Sequence, residues 1–335
     1  MRSMRLWLVL VALAGAIFTA HVSVSSATFA GRNGLIAYAV GGGEENWVLR
    51  AIRRDGTHDR RLIGPTPYGG GLYRGPSGPR WSSDGKSLLF GAHSHLDTRA
   101  FGLKYATASG KRIKTIPLGV KRPVVLYGWD WAPDGHRVVF AAGDVRGHAR
   151  IYTIALDGSR RRLLGRGESP TWSSDGRYIV FRRGFASVGP DIKRHGVFVV
   201  RPSGNGVRRL TQSIDDSAPS VSPDGRQVAY VRMSGAAQGA PVRFVEWRVI
   251  DASGRNDVLL ATHDAATSPY RYRAPQWAPD GRRLGAVREH FVNDQPFAEF
   301  VTIDRTGADE RAEFAFPADP SPYAVDEADF AWQPR

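Results

Sequence analysis

Cysteine is absent from the 335 residues, which excludes both a disulfide framework and a lipid-modified amino-terminal cysteine. Stability has to come from packing. Lysine is scarce too: 40 of the 46 basic residues are arginine, and against 32 acidic residues they leave a formal net charge of +14. No Gly-x-Ser-x-Gly elbow occurs, so the usual nucleophile turn of a hydrolase sheet is missing. Long apolar runs are lacking apart from one, the 15 residues Leu6 to Ala20, and a membrane-crossing helix needs about 20.

That run follows Met1 to Arg5, which holds two arginines, and precedes small residues at Ser25-Ser26-Ala27 and Ala30. A basic start, an apolar stretch and a small-residue end are the parts of a secretory signal peptide. Residues 1–27 are expected to be removed on export, with Ala30 as the later alternative for cleavage, and residues 31–335 to form one folded domain. The destination is periplasmic, cell-wall-associated or secreted. Membrane association enters only through an uncleaved segment. Export makes nucleic acid a poor partner for the positive charge; an envelope protein or an anionic cell-wall polymer fits better. Much of the charge sits together, as in Arg53-Arg54, Arg60-Arg61, Arg160-Arg161-Arg162, Arg208-Arg209 and Arg282-Arg283. These read either as a solvated rim or as a surface for such an anion.

What the chain does contain is repetition. Trp81-Ser-Ser-Asp84-Gly85, Trp131-Ala-Pro-Asp134-Gly135, Trp172-Ser-Ser-Asp175-Gly176, Val221-Ser-Pro-Asp224-Gly225 and Trp277-Ala-Pro-Asp280-Gly281 recur at intervals of 50, 41, 49 and 56 residues. Proline presets φ, aspartate bonds nearby amides and glycine accepts the left-handed conformation, so each is a tight turn between antiparallel strands. A second turn series falls at Gly56, Gly110, Gly158, Gly204, Gly254 and Gly307. Four strands per unit at this period fit a propeller blade. The amino end has a turn and strand, Asn33 to Tyr38, with no Trp strand before it. The carboxyl end has Phe330-Ala-Trp332-Gln-Pro334 with nothing after it. Joined, they make a sixth blade and leave no open edge around the ring. The expected fold is all-β: a six-bladed β-propeller with four-stranded antiparallel blades, closed by the C-terminal strand joining the N-terminal blade. Pro79, Pro170, Pro219 and Pro275 place the Trp strand innermost, where one edge is free of ladder bonds. The small residues before them, Gly78, Gly128, Ser169, Ala218 and Ala274, are expected to relieve crowding at the axis. Asp329 breaks that series, as a channel polar group or as the start of the last strand.

The pattern Pro-x-Trp-Ser-x-Asp-Gly-x-x-apolar-x-Phe, followed by an apolar strand, a glycine turn and Arg-Arg-Leu, resembles the repeat of TolB-like β-propellers. The resemblance covers about residues 31 to 335. It extends to the propeller part only: the family's namesake carries an additional amino-terminal α/β domain and docks lipoproteins of the Tol-Pal system, whereas here the signal segment is expected to lead straight into the first blade.

In such a meander the longer loops gather on one face, and loops on a rigid scaffold are where binding resides. The segment Gly64 to Gly78, read as a glycine-rich loop, brings Tyr73 and Arg74; Tyr270-Arg271-Tyr272-Arg273 alternates aromatic and basic groups. Tyrosine supplies flat contact area and arginine reads carboxylates, so these six are the candidate binding residues. His93-x-His95-x-Asp97 is a local cluster of metal-ligand types, with His148, His195, His263 or His290 as ligands from other loops. A divalent metal there is the one cofactor to consider. Adjacent carboxylates, Glu44-Glu45 and Asp215-Asp216, point apart and are poor candidates for glycoside hydrolysis. No catalytic residue is assigned. The leading expectation is a monomeric, non-catalytic binding or scaffold propeller; the alternative is a metal-assisted lyase or hydrolase acting on an acidic polysaccharide.

Overall fold

The computed structural model describes residues 28–40, 48–64, 66–69, 72–93, 102–120, 125–144, 148–184, 195–234, 242–265, 267–268, 271–292, 295–316 and 330–335. These contain 26 strands in six antiparallel sheets, and no helix. In chain order, β1 (Asn33–Val40), β2 (Val48–Ile52) and β3 (Arg60–Ile63) begin blade I. Blade II holds β4 (Thr66–Gly69), β5 (Leu72–Trp81), β6 (Ser87–His93), β7 (Gly102–Thr107) and β8 (Lys114–Thr115). Blade III is β9 (Val125–Trp131), β10 (Arg137–Gly143), β11 (Arg150–Ala155) and β12 (Arg162–Arg166). Blade IV is β13 (Glu168–Trp172), β14 (Ile179–Arg183), β15 (Gly196–Val200) and β16 (Arg208–Arg209). Blade V is β17 (Asp216–Val221), β18 (Gln227–Met233), β19 (Phe244–Asp251) and β20 (Val258–Asp264). Blade VI is β21 (Arg271–Tyr272), β22 (Gln276–Trp277), β23 (Arg283–Val292), β24 (Gln295–Asp304) and β25 (Arg311–Ala315), and β26 (Phe330–Pro334) returns to blade I.

The turns work as their residues dictate. Gly85, Gly135, Gly176, Gly225 and Gly281 sit at φ between 66° and 75°, and each donates its amide to the carbonyl three residues back, at 2.9 to 3.1 Å. The turn aspartates accept the amide two residues on, for example Lys86 to Asp84 at 3.0 Å and His136 to Asp134 at 2.8 Å. All six glycines of the second series close turns in the same way.

Ring closure is present. Ile36 pairs with Trp332, Ala37 with Ala331 and Tyr38 with Phe330, and Gln333 donates to the Gly85 carbonyl of blade II at 2.8 Å. The segment before β1 adds a second fastening. Thr28 donates its hydroxyl to the Trp277 carbonyl of blade VI at 2.6 Å, while Phe29, 4% exposed, is buried in the cluster that blades II and III share around Trp129 and Trp131. Adjacent residues of this arm thus engage blade VI and the cluster of blades II and III.

The core is divided among the seams, because each sheet is apolar on both faces. Trp131, Trp172 and Trp277 are at most 1% exposed, and burial of each such side chain contributes about 1.5–3 kcal/mol. Asp130, fully buried, stitches the inner strands: it accepts the Trp131 amide at 2.9 Å, the Trp172 amide of blade IV at 3.0 Å and the Thr171 hydroxyl at 3.1 Å.

Two expectations need correcting. The small residues at 78, 169 and 218 mark bulges: the ladder register shifts there, and Gly78, Ser169 and Ala218 adopt φ of 55°, 48° and 48°. Backbone conformation, not only crowding, selects them. Nor are the rim arginines simply solvated. Outer-strand Arg162 donates to the Ser203 carbonyl of the next blade at 3.2 Å, Arg208 to Ser253 and Ala252, and at the closing seam Glu313 takes Arg54 at 2.6 Å. At these three seams they clamp one blade to the next. Asp329 lies outside the described residues.

Candidate functional site

Innermost strands run towards the tight turns, and second strands run back. The starts of β5, β13 and β17 therefore share one face with the ends of β6, β14, β18 and β23. On this loop face, extra strand structure replaces expected loop. Within the stretch read as a loop from Gly64 to Gly78, β4 pairs with the start of β5, Thr66 opposite Arg74 and Pro67 opposite Tyr73. In blade VI, Arg271 pairs with Glu289 and Tyr272 with Arg288, beside a ten-pair hairpin of β23 and β24 that ends at Val292 opposite Gln295. Two strand-built prongs, one on each side of blade I, thus carry Tyr73, Arg74, Arg271 and Tyr272 by backbone position. Tyr270 lies outside the described residues. Arg273 is engaged: its guanidinium grips Glu289 at 2.7 and 3.3 Å.

Elsewhere on this face, blades IV and V are held by ion pairs. Glu168, first residue of β13 and 2% exposed, receives Arg182 at 2.6 Å. Burial outweighs that cation and pushes the carboxyl up to about 6. A carboxyl in this range suits a general acid, but here it faces Arg182 and not solvent. Asp216, fully buried, holds Arg232 at 2.7 and 3.2 Å; burial again raises its pKa despite the guanidinium. Arg232 adjoins a network in which Arg248 bonds Glu246 at 2.8 Å and Asp257 at 3.1 Å, and Tyr230 donates to Asp257 at 2.7 Å. Blade I repeats the motif with Tyr38, Asp59 and Arg50. These groups stiffen a polar surface, since a buried pair is costly to break and positions its neighbours. Sequence reasoning missed them. Apart from Arg248 and Glu246, two residues apart on β19, their partners lie 9 to 27 residues apart, with no local motif.

The other candidates are dispersed. His93 ends β6 by backbone, opposite Gly75; His95 and Asp97, with Glu44 and Glu45, lie outside the described residues. His148 meets Asp144 at 2.9 Å, His195 is buried, His263 packs edge-on against Trp247 at 4.8 Å, and His290 against Phe297 at 4.9 Å. Among the described residues no three metal-ligand side chains converge.

A family model described as the TolB beta propeller domain matches residues 73–268, more than half of the chain. An uncharacterised protein of Agrobacterium fabrum is 30% identical over 170 residues, 48% of this chain and 54% of that protein. The Tol-Pal system protein TolB of Wolinella succinogenes is 26% identical over 158 residues, 46% of this chain and 36% of that protein. These matches span about half of the first relative's length and about a third of the second's. Among solved structures, TolB from Acinetobacter baumannii is similar with a TM-score of 0.65 and 17% identity, over 90% of this chain and 67% of that one; at that identity the likeness shows the fold.

Proposed function

Because the chain belongs to the TolB beta propeller domain family, we propose that it is an exported binding propeller whose loop face receives an envelope protein or cell-wall polymer. The carrying observation is the state of the carboxylates at that face: Glu168, Asp216 and Glu289 each grip an arginine at 2.6 to 2.7 Å. The pair at Glu289 braces the blade VI prong through Arg273, and those at Glu168 and Asp216 brace blades IV and V, which supports binding as the work of the face. The relatives named as Tol-Pal system proteins support a partner in the cell envelope. Tyr73, Arg74, Tyr270, Arg271 and Tyr272 are the proposed contacts, with Arg273 as the strut beneath them. Burial of Thr28 and Phe29 in the ring supports removal of residues 1–27 on export, with Thr28 as the first residue of the mature chain.

The test is capture from an envelope extract by the mature chain and by a Tyr73→Ser, Arg74→Ser, Arg271→Ser variant. Loss of the captured species, with an unchanged melting curve, is expected. Equal capture by both proteins refutes the assignment of the prongs.

A further inference from the structure

The tight-turn face, opposite the prongs, carries a separate feature at the seam of blades III and IV. A cleft of about 720 Å³ is lined by Arg137, Thr153, Arg160, Arg161, Arg162 and Ser203, among others. Four arginines line it, and the one carboxylate in the lining is Asp134. Its contact is with Arg137, at 2.8 Å. Arg162 is fixed by the Ser203 carbonyl at 3.2 Å, and Arg161 by the Leu118 carbonyl at 3.2 Å together with that of Gly119. Carbonyls orient a guanidinium without cancelling its charge. Arg160 makes no hydrogen bond or ion pair among the described residues; exposed Asp157 is near enough to feel its charge but spends an oxygen on the Ser159 amide.

The seam is distinct from its counterparts. At the position of Arg137 the other tight turns have Ser87, Tyr178, Gln227 and Arg283, and Arg283 is closed off by Asp309 at 3.0 Å and Thr302 at 2.8 Å. In the turn before the outer strand, the position of Arg160 is Arg112 in blade II, Gly206 in blade IV and Asn256 in blade V. Only at the blade III–IV seam, among these, do the extra guanidiniums coincide. The chemistry also narrows the ligand. The aromatic faces beside the lining arginines are taken, that of Trp172 by the Arg137 guanidinium at 5.2 Å and that of Tyr152 by Arg161 at 5.7 Å, so neither is left as a platform for a sugar ring or a base. Recognition is by charge and by the planar donor fork of arginine, which matches oxyanions.

We propose that this cleft is a binding site for a ligand bearing several phosphate groups, held by Arg137, Arg160 and Arg162. It lies on the other face from the prongs and stands or falls separately from them. Tripolyphosphate is the probe, titrated calorimetrically at low salt into the mature protein, with monomeric orthophosphate and polygalacturonate as comparison arms. The expected result is saturable tripolyphosphate binding that weakens about tenfold in Arg160→Ser and again in Arg137→Gln, in line with the loss of one charge-assisted contact each. Arg311→Ser, at an exposed arginine of blade VI, should bind as the parent does. Melting curves verify that each variant is folded. The proposal is overturned if tripolyphosphate shows no saturable binding, or binds no better than orthophosphate. It is also overturned if Arg311→Ser loses as much as Arg160→Ser, which would mean diffuse attraction, or if polygalacturonate binds more tightly in a way that Arg160→Ser abolishes, which would make the occupant a carboxylate glycan.

Discussion

Glu168 offers a quantitative test of how blade IV is held at the loop face. Its carboxyl, ordinarily at 4.5, is raised to about 6 by burial, with Arg182 opposing but not reversing the shift. The folded chain thus binds this proton more tightly than the unfolded chain. Ionised Glu168 costs the fold its full penalty above about pH 6, and the penalty disappears as pH falls through 6 towards 4.5. At about 1.4 kcal/mol per pH unit, the swing is about 2 kcal/mol. Glutamine at this position imitates the protonated side chain and cannot ionise. The stability of Glu168→Gln minus that of the parent is therefore predicted to grow by about 2 kcal/mol between pH 4.5 and 7.5. Urea unfolding followed by tryptophan fluorescence, at steps of half a pH unit, gives both curves. Taking the difference cancels every other titrating group. A constant difference would refute the reasoning, and a difference that moves the other way would show that the Arg182 pair outweighs burial.

The remaining predictions concern the ring and its acid limit. Gly78→Ala is expected to cost about 2–3 kcal/mol in urea unfolding, because φ is 55° and a Cβ would meet the Trp129 ring at 2.5 Å; a change under 0.5 kcal/mol would remove the bulge argument. Phe29→Ala should lower stability by about 3–5 kcal/mol, and mass spectrometry of the exported protein should place its first residue at Thr28; a chain beginning at Gly31 with parental stability would contradict both. His263, lowered to about 4 by burial and by repulsion from Arg288, is neutral in the fold. Stability tied to it is present above pH 6.5 and lost as pH falls towards 4, so His263→Gln should flatten the acid limb, and an unchanged limb would speak against that burial.

Much of this architecture was legible because it is local. Asp134 and Gly135 satisfy their own turn within a few residues, so five turn motifs could be read without tertiary information. The two incomplete ends specified the closing pair of β1 and β26. The β4–β5 hairpin was not legible. Its first strand contains Pro67 and Gly69, which mark loops, and only pairing with a neighbour overrides them. The bulges at Ser169 and Ala218 were hidden for a related reason: small side chains report little room and positive φ equally well. Least visible were the clamps and ion pairs. Arg162 and Ser203, or Arg208 and Ser253, are brought together by the stacking of blades, across 41 and 45 residues. The Arg-rich runs announced charge but not its partners. Likewise, the Tyr-Arg-Tyr-Arg motif gave no sign that Arg273 is taken by Glu289, 16 residues away.

The loop face is the surface proposed to meet the partner. Hydrogen exchange of the mature protein, alone and with the species it captures from the envelope, measures this directly. Slowed exchange is expected to be confined to the backbone of β4, the start of β5, β21, the end of β23 and the start of β24. Slowed exchange at the tight turns around Gly135, Gly225 and Gly281 instead, with the prongs unchanged, would contradict it.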